Sequence, residues 1–162
     1  TFGAARAAMA RCTVNMARDV PNDVWTDFRA ALRQDTVRNL LCGLAELALL
    51  WMGVMLVTAD GFFPALLGML LLCVTAAFFQ NFWAVQAAVD ISFAAAAKNA
   101  WLLCLLRPGM TVLGLGVNAL LLIPAVLFFP LSLPYVLLFP CGLSGFASGM
   151  IGWSSCKRYL IR

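Results

Sequence analysis

The sequence predicts an all-α membrane protein, a polytopic transmembrane helix bundle with four spans and cytoplasmic-side amphipathic helices. Three observations predict this class. Of the 162 residues, 64% are hydrophobic and 11% are charged, whereas a soluble domain carries about 25% charged residues. The apolar residues form runs of about 18 residues or more, long enough to cross a hydrocarbon core of ~30 Å. The basic residues are confined to alternate segments between these runs.

Residues 1–39 are expected to form cytoplasmic or interfacial helices within a single membrane domain that covers the whole chain. Residues 3–18 are rich in alanine, and Pro21 indicates a turn. Asn22 or Asp23 can cap a second helix, in which three apolar residues recur at helical spacing: Trp25, Phe28 and Leu32. Such an apolar stripe is typical either of an interfacial helix or of a helix packed on its own protein.

Four apolar runs are predicted to cross the bilayer. They are residues 40–57, 62–85, 110–129 and 135–154. Residues 91–106 form a further apolar segment, but as a fifth span this segment would place Lys98 near the bilayer centre, at a cost of about 2.5–3.5 kcal/mol. It is therefore predicted to be a cytoplasmic-side helix that is either interfacial or partly re-entrant.

The distribution of charge predicts the orientation. With four spans, one side of the membrane holds residues 1–39, 86–109 and 155–162, and these segments contain all eleven Lys and Arg residues. The turns on the other side, residues 58–61 and 130–134, contain none. Basic residues near span ends are retained in the cytoplasm, so both termini of the chain are expected to be cytoplasmic.

Glu46 is the most distinctive candidate for a functional residue. It lies roughly 9–10 Å into the first predicted span, by the rise of an α-helix. A carboxyl group at that depth must be protonated, paired or exposed to a wet cavity. Glu46 is therefore either a proton-coupled or cation site, or a packing residue that hydrogen bonds to a neighbour or reaches the interface. No basic residue lies in any predicted span, which argues against a buried ion-pair relay.

Four amide side chains form a second candidate site. They are Gln80, Asn81 and Gln86 near the cytoplasmic end of the second span, and Asn118 in the third. Amides in apolar helices commonly hydrogen bond to a neighbouring helix and stabilise the bundle by about 0.6 kcal/mol each. The alternative is a polar patch that binds a substrate.

Small residues in the third and fourth spans predict close helix packing, because they allow two backbones to approach. The predicted packing positions are Gly114, Gly116, Cys141, Gly145, Ser148, Gly149 and Gly152. The helix that packs on the fourth span is either another helix of the same chain or a second copy, so an oligomer formed through this span stays open.

The sequence predicts no enzyme, no cofactor and no metal site. It contains no histidine, and its six cysteines include no C-x-x-C pair. Phosphate-binding, esterase and zinc-protease motifs are also absent from the sequence. Aspartates are interleaved with the basic residues of the N-terminal region, so no nucleic-acid binding is expected. The lipid bilayer, with its anionic inner leaflet, is the expected partner.

Three segments of the sequence together resemble one known family. They are Thr1-Phe2-Gly3-Ala4-Ala5, Asp27-Phe28-Arg29-Ala30-Ala31, and the stretch from Asn81-Phe82-Trp83 through Lys98-Asn99-Ala100 to Arg107-Pro108. In the same order, they are similar to three parts of the YesL family of bacterial membrane proteins. These parts are the T-x-G-x-A segment after the first hydrophobic helix, the amphipathic segment before the next span, and the central region.

The resemblance implies a bacterial cytoplasmic-membrane protein with one more hydrophobic helix ahead of Thr1. The YesL family has no known molecular function and is commonly encoded near carbohydrate-uptake ABC importers and sensor kinases. It therefore implies a non-enzymatic accessory or assembly role in carbohydrate uptake, with ABC importer subunits or a membrane sensor kinase as partners. The residues leave a second possibility open, a small transporter or channel that uses Glu46 and the cluster of Gln80, Asn81 and Gln86.

Overall fold

The structure of the chain, a computed structural model, describes residues 2–18, 23–33, 35–89, 91–127, 146, 149–151 and 153–154. Within these residues it is helical and contains no strand, so the predicted all-α class is confirmed. The six helices are α1 (Phe2–Ala17), α2 (Val24–Arg33), α3 (Thr36–Thr58), α4 (Phe62–Ala88), α5 (Phe93–Leu106) and α6 (Pro108–Leu127).

Two of these helices, α3 with 23 residues and α4 with 27, are long and apolar enough to cross a membrane. Helices α5 and α6 meet at a bend of 97° and satisfy the same criteria as a pair, so the described residues provide two or three candidate spans. The prediction of a membrane protein is confirmed by the length and the apolar composition of these helices. Most of the predicted span 135–154 lies outside the described residues, so the count of four spans and the amphipathic helices stay predictions.

Helices α3 and α4 form a close-packed hairpin, which is the most extensive helix contact of the described chain. The turn between them contains Gly61, whose φ of 117° is a conformation that other residues rarely adopt. Gly53 and Gly68 let the two backbones approach. A Cβ atom added to Gly68 would lie 2.6 Å from the backbone nitrogen of Val57 and 2.7 Å from the carbonyl oxygen of Gly53.

Large apolar side chains cover the outer surface of the hairpin. Those more than half exposed include Leu44, Trp51, Phe62, Phe63, Leu66, Leu67, Met69 and Leu70. Contiguous apolar surface of this extent is unusual on a water-soluble monomer. It is the expected surface of helices that face lipid, because lipid tails are as apolar as these side chains.

Helix α1 lies in the protein core. Ala8 and Val14 are completely buried, and residues on its other faces are also buried. The helix runs antiparallel to the first half of α3, since Gly3 contacts Gly43 while Arg11 borders the same small cavity as Asp35. The sequence did not reveal this burial, because an alanine-rich helix shows no apolar stripe.

Helix α5 packs on α4 and ends at a sharp bend. Ser92 caps its first turn, with its hydroxyl oxygen accepting a hydrogen bond from the backbone N–H of Ala95 at 3.4 Å. Pro108 begins α6, where a residue without a backbone N–H is tolerated because the first turn does not need that donor. The same proline cannot continue α5, since it lacks the N–H that the next hydrogen bond of that helix would need. The helix predicted at residues 91–106 is therefore present as residues 93–106, with the bend at its end.

Substitution of Gly68 is expected to separate the α3–α4 hairpin. Gly68→Ala should lower the free energy of unfolding by about 1–3 kcal/mol, because the added methyl group overlaps backbone atoms that cannot move independently. Equilibrium unfolding in detergent measures this loss. The control is Gly109→Ala, since a Cβ atom there lies within 4 Å of no described residue, and it should change stability by less than about 0.5 kcal/mol. Equal effects of the two substitutions would contradict the packing.

Candidate functional site

Glu46 lies at the junction of three helices. Its side chain is 2% exposed. One carboxylate oxygen, Oε1, accepts a hydrogen bond from the guanidinium of Arg6 on α1 and forms an ion pair with it. The other, Oε2, accepts a hydrogen bond from the indole N–H of Trp83 on α4 at 2.9 Å. Both oxygens of the buried carboxylate therefore have a donor.

The basic partner of Glu46 comes from outside the spans predicted from the sequence, which contain no basic residue. Arg6 reaches Glu46 from α1, which packs alongside α3. Glu46 is ten residues beyond the start of α3, which corresponds to ~15 Å along the helix. An arginine at this position neutralises the carboxylate where an isolated charge would be expensive. The geometry corresponds to the hydrogen-bonded alternative considered for Glu46.

A second polar contact joins α3 and α4 near the N-terminal end of α3. The side-chain amide of Gln86 donates a hydrogen bond to the Asn39 side-chain oxygen at 3.1 Å. Both residues border a cavity of about 10 Å³, together with Arg11, Asp35 and Trp83. A cavity of this volume holds at most one water molecule. The Gln86 Oε1 atom is buried and has no hydrogen-bond partner among the residues that the structure describes.

Gln80 contacts α6 and not the groups around Glu46. Its Oε1 atom accepts a hydrogen bond from the Asn118 side-chain amide at 3.4 Å. Gly114 makes room for this amide, because a Cβ atom at position 114 would lie 2.0 Å from the Gln80 Nε2 atom. The Nε2 atom itself is buried, and no described residue forms a hydrogen bond with it. The contact between α4 and α6 therefore depends on a small residue at position 114.

Asn81 supports the bend between α5 and α6. Its side-chain nitrogen lies 3.0 Å from the carbonyl oxygen of Ala77, 3.3 Å from the Cys104 sulfur and 3.4 Å from the Thr111 hydroxyl. Thr111 in turn donates a hydrogen bond to the carbonyl oxygen of Arg107 at the bend itself, at 3.2 Å. One amide thus links α4 to the last turn of α5 and the first turn of α6.

The polar residues singled out from the sequence are therefore distributed among separate contacts. Glu46 of α3 binds Arg6 of α1 and Trp83 of α4, and Gln86 of α4 binds Asn39 of α3. Gln80 and Asn118 join α4 to α6, and Asn81 supports the bend. Three partners in these contacts were not predicted from the sequence: Arg6, Asn39 and Trp83. The one available signal was the presence of two arginines in a helix that otherwise consists mainly of small residues.

The predicted packing glycines have different environments. Gly114 packs on Gln80, and Gly149 packs on Thr13, whose Cβ would lie 2.8 Å from an added Cβ. A Cβ atom on Gly116 would meet nothing within 4 Å, so within the described residues Gly116 is not a packing position. Outside the described residues lie the remaining predicted positions: Cys141, Gly145, Ser148 and Gly152.

The described residues offer little for covalent or metal chemistry. Among them, no three His, Cys, Asp or Glu side chains are grouped as metal ligands. Of the cysteines in the described part of the chain, Cys42, Cys73 and Cys104 are free thiols. For Cys12, which lies in α1, burial raises the pKa of the thiol, and the negative charge of Asp27 raises it further. The Cys12 thiol is therefore protonated at neutral pH and is a poor nucleophile.

The Arg6–Glu46 pair is expected to show strong energetic coupling. Arg6→Gln should lower the free energy of unfolding in detergent by about 3 kcal/mol, because it leaves the buried carboxylate of Glu46 without its cationic partner. Glu46→Gln should cost less, about 1–2 kcal/mol, since Arg6 is 28% exposed and can reach water. The double variant should be more stable than the sum of the two losses predicts.

The matched control for this cycle is Arg29→Gln, which removes the same charge from an exposed position on α2. Arg29→Gln should change stability by less than about 0.5 kcal/mol. If Arg6→Gln had no more effect than Arg29→Gln, or if the two losses were additive, the ion pair would contribute nothing to stability.

Two glycines on the same helix test the contact between Gln80 and α6. Gly114→Ala should destabilise the protein by about 1–3 kcal/mol, because the methyl group displaces the buried Gln80 amide. Gly116→Ala, two residues along, brings its added Cβ atom within 4 Å of no described residue, so it should not destabilise the protein and should gain up to about 1 kcal/mol from the higher helix propensity of alanine. Thermal unfolding in one detergent compares the two variants. A greater loss for Gly116→Ala would show that α6 packs through its other face.

The chain matches no family model, no curated protein and no solved structure. The resemblance to the YesL family therefore stays a prediction based on the three quoted segments.

Proposed function

We propose that this protein is a non-enzymatic component of the bacterial cytoplasmic membrane that acts by binding other membrane proteins, as an accessory or assembly subunit beside a carbohydrate ABC importer. The observation that carries the proposal is that the polar side chains within the helices form contacts between helices. Each candidate singled out from the sequence contacts another helix of the same chain. These groups hold helices together, which is what a structural or scaffolding subunit requires.

The electrostatics of the bundle support a structural role over a transport role. Glu46, the one acidic residue within the two candidate spans, is paired with Arg6 and also hydrogen bonded to Trp83. The nearby cavity measures about 10 Å³, which is too small for a solute larger than water. A transport pathway lined by Glu46 would require this cavity to widen and the ion pair to break.

The importer as partner and the bacterial membrane as location rest on the resemblance to the YesL family. The cytoplasmic position of both termini rests on the one-sided distribution of all eleven basic residues. The exposed apolar surface of the α3–α4 hairpin supports contact with lipid or with another membrane helix. A sensor kinase of the same membrane is the second partner that the resemblance supports.

A small transporter or channel is the alternative function, and one observation favours it. Within the described part of the chain, Gln80 Nε2 and Gln86 Oε1 are buried without hydrogen-bond partners, and Gln86 borders the cavity next to Trp83. Buried polar atoms without partners are rare in proteins. They would gain partners if an ion or a water chain passed between the helices.

The two functions predict different results in native membranes. Under the proposed function, a tagged copy purified in mild detergent retains importer subunits at a fixed ratio, and deletion of the gene lowers carbohydrate uptake. Quantitative mass spectrometry and labelled-sugar uptake measure these effects. An unrelated tagged membrane protein is the control. Absence of importer and kinase subunits, together with unchanged uptake in the deletion strain, would refute the accessory role.

Reconstituted vesicles test the alternative directly. The purified wild-type protein should give no flux of protons, monovalent cations or sugars above that of empty vesicles. Glu46→Gln should then make no difference to the background. If the wild-type protein instead produced a flux that Glu46→Gln changed, the transporter function would replace the proposed one.

A further inference from the structure

A groove lined by both cationic and apolar side chains lies at the start of α3. Its volume is about 800 Å³. Arg33 from the last turn of α2 and Arg38 from the first turn of α3 line it, with Asp35 between them in the connecting turn. These three residues together carry a net positive charge of one. The groove is separate from the Glu46 site, which lies farther along α3.

Arg38 has an unusual environment in this groove. Its Nε and Nη2 atoms are buried and have no hydrogen-bond partner among the described residues. The guanidinium carbon lies 5.3 Å from the centre of the Phe93 ring, so the group is held by a cation–π contact. Nε and Nη2 form one edge of the guanidinium fork, which matches two oxygens of a phosphate. Because both atoms are closed to solvent, a ligand in the groove reaches them only when the Arg38 side chain turns outward, and an anion would then satisfy these costly donors.

The rest of the groove is apolar. Val37 and Leu41 are 72% and 62% exposed, and Phe93 is 45% exposed. All three line the groove beside the arginines. A free inorganic anion would bind the two arginines and leave this apolar surface uncovered. An amphiphile with a phosphate at one end would cover both parts.

The position of the groove in the fold agrees with this chemistry. It lies at the N-terminal end of a candidate membrane span, where hydrocarbon gives way to lipid headgroups. The first backbone N–H groups of α3 are also there, and the helix dipole adds a partial positive charge. Membrane-surface arginines attract anionic lipids.

We infer that the groove at the start of α3 is a binding site for an anionic glycerophospholipid, whose phosphodiester binds Arg38 and Arg33 and whose acyl chain lies along Val37, Leu41 and Phe93. The inference requires only that α3 crosses the membrane. It does not depend on the importer, the kinase or the alternative transport role.

The test measures lipid retention by the purified full chain in mixed micelles. Palmitoyl-oleoyl phosphatidylglycerol is the anionic probe and palmitoyl-oleoyl phosphatidylcholine is the zwitterionic one. Native mass spectrometry counts bound lipid at each concentration. The wild-type protein should retain the anionic lipid in preference to the zwitterionic lipid. Arg38→Gln should weaken that binding by about tenfold or more, as expected for loss of a charged hydrogen-bond pair.

Three variants make the test specific. Arg29→Gln removes an exposed arginine of α2 that does not line the groove, and it should retain wild-type binding. Arg33→Gln, at an exposed position, should weaken binding even if Arg38→Gln does not fold. Leu41→Gln tests the apolar part, and since Leu41 is already 62% exposed this variant should fold and still lose affinity for the lipid.

Several results would overturn the inference. One is equal retention of the two lipids by the wild-type protein. Another is the same affinity for phosphatidylglycerol in Arg33→Gln, Arg38→Gln and Arg29→Gln. Displacement of the bound lipid by inorganic phosphate at the same concentration, with no effect of Leu41→Gln, would show that the site binds a free anion and not a lipid.

Discussion

The pairing of Arg6 with Glu46 is the interaction on which the rest of the fold depends. A carboxylate that is 2% exposed within a span has to be neutralised. Its two donors come from different helices, Arg6 of α1 and Trp83 of α4. Satisfying Glu46 therefore requires α1 to lie against the α3–α4 hairpin. The close contact of Gly3 with Asn39 and Gly43 makes that approach possible. Charge and small-residue packing act together here.

Helix α4 connects most of the described structure through its second half. Residues 79–85 are all buried, and they contain the polar groups that contact the other helices. Trp83 contacts α3, Gln80 contacts α6, and Asn81 supports the bend between α5 and α6. The first half of α4 is mostly exposed and apolar. The second half of α4 thus packs on other helices and holds the polar contacts, whereas the first half is suited to contact with lipid.

Sequence analysis recovered the helices more accurately than it recovered their contacts. The predicted segments 40–57, 62–85 and 91–106 correspond to α3, α4 and α5 within a few residues. Glu46 and the four amides were identified from their polarity in apolar surroundings, which is a local property. Their partners were not identified, because Arg6 and Glu46 are 40 residues apart in the chain. The glycines at close contacts between helices, Gly3, Gly53 and Gly68, were missed for the same reason.

The sequence by itself determined that this is a helical membrane protein, because span length and apolar content are sums over neighbouring residues. It also determined where polar groups interrupt the apolar helices. Only the tertiary structure decided that α1 is a core helix, that Glu46 is an ion-paired residue, and that the amides serve three separate contacts. These properties depend on which helix faces meet. That choice is set by packing and by the pairing of buried charge, which link residues far apart in the chain.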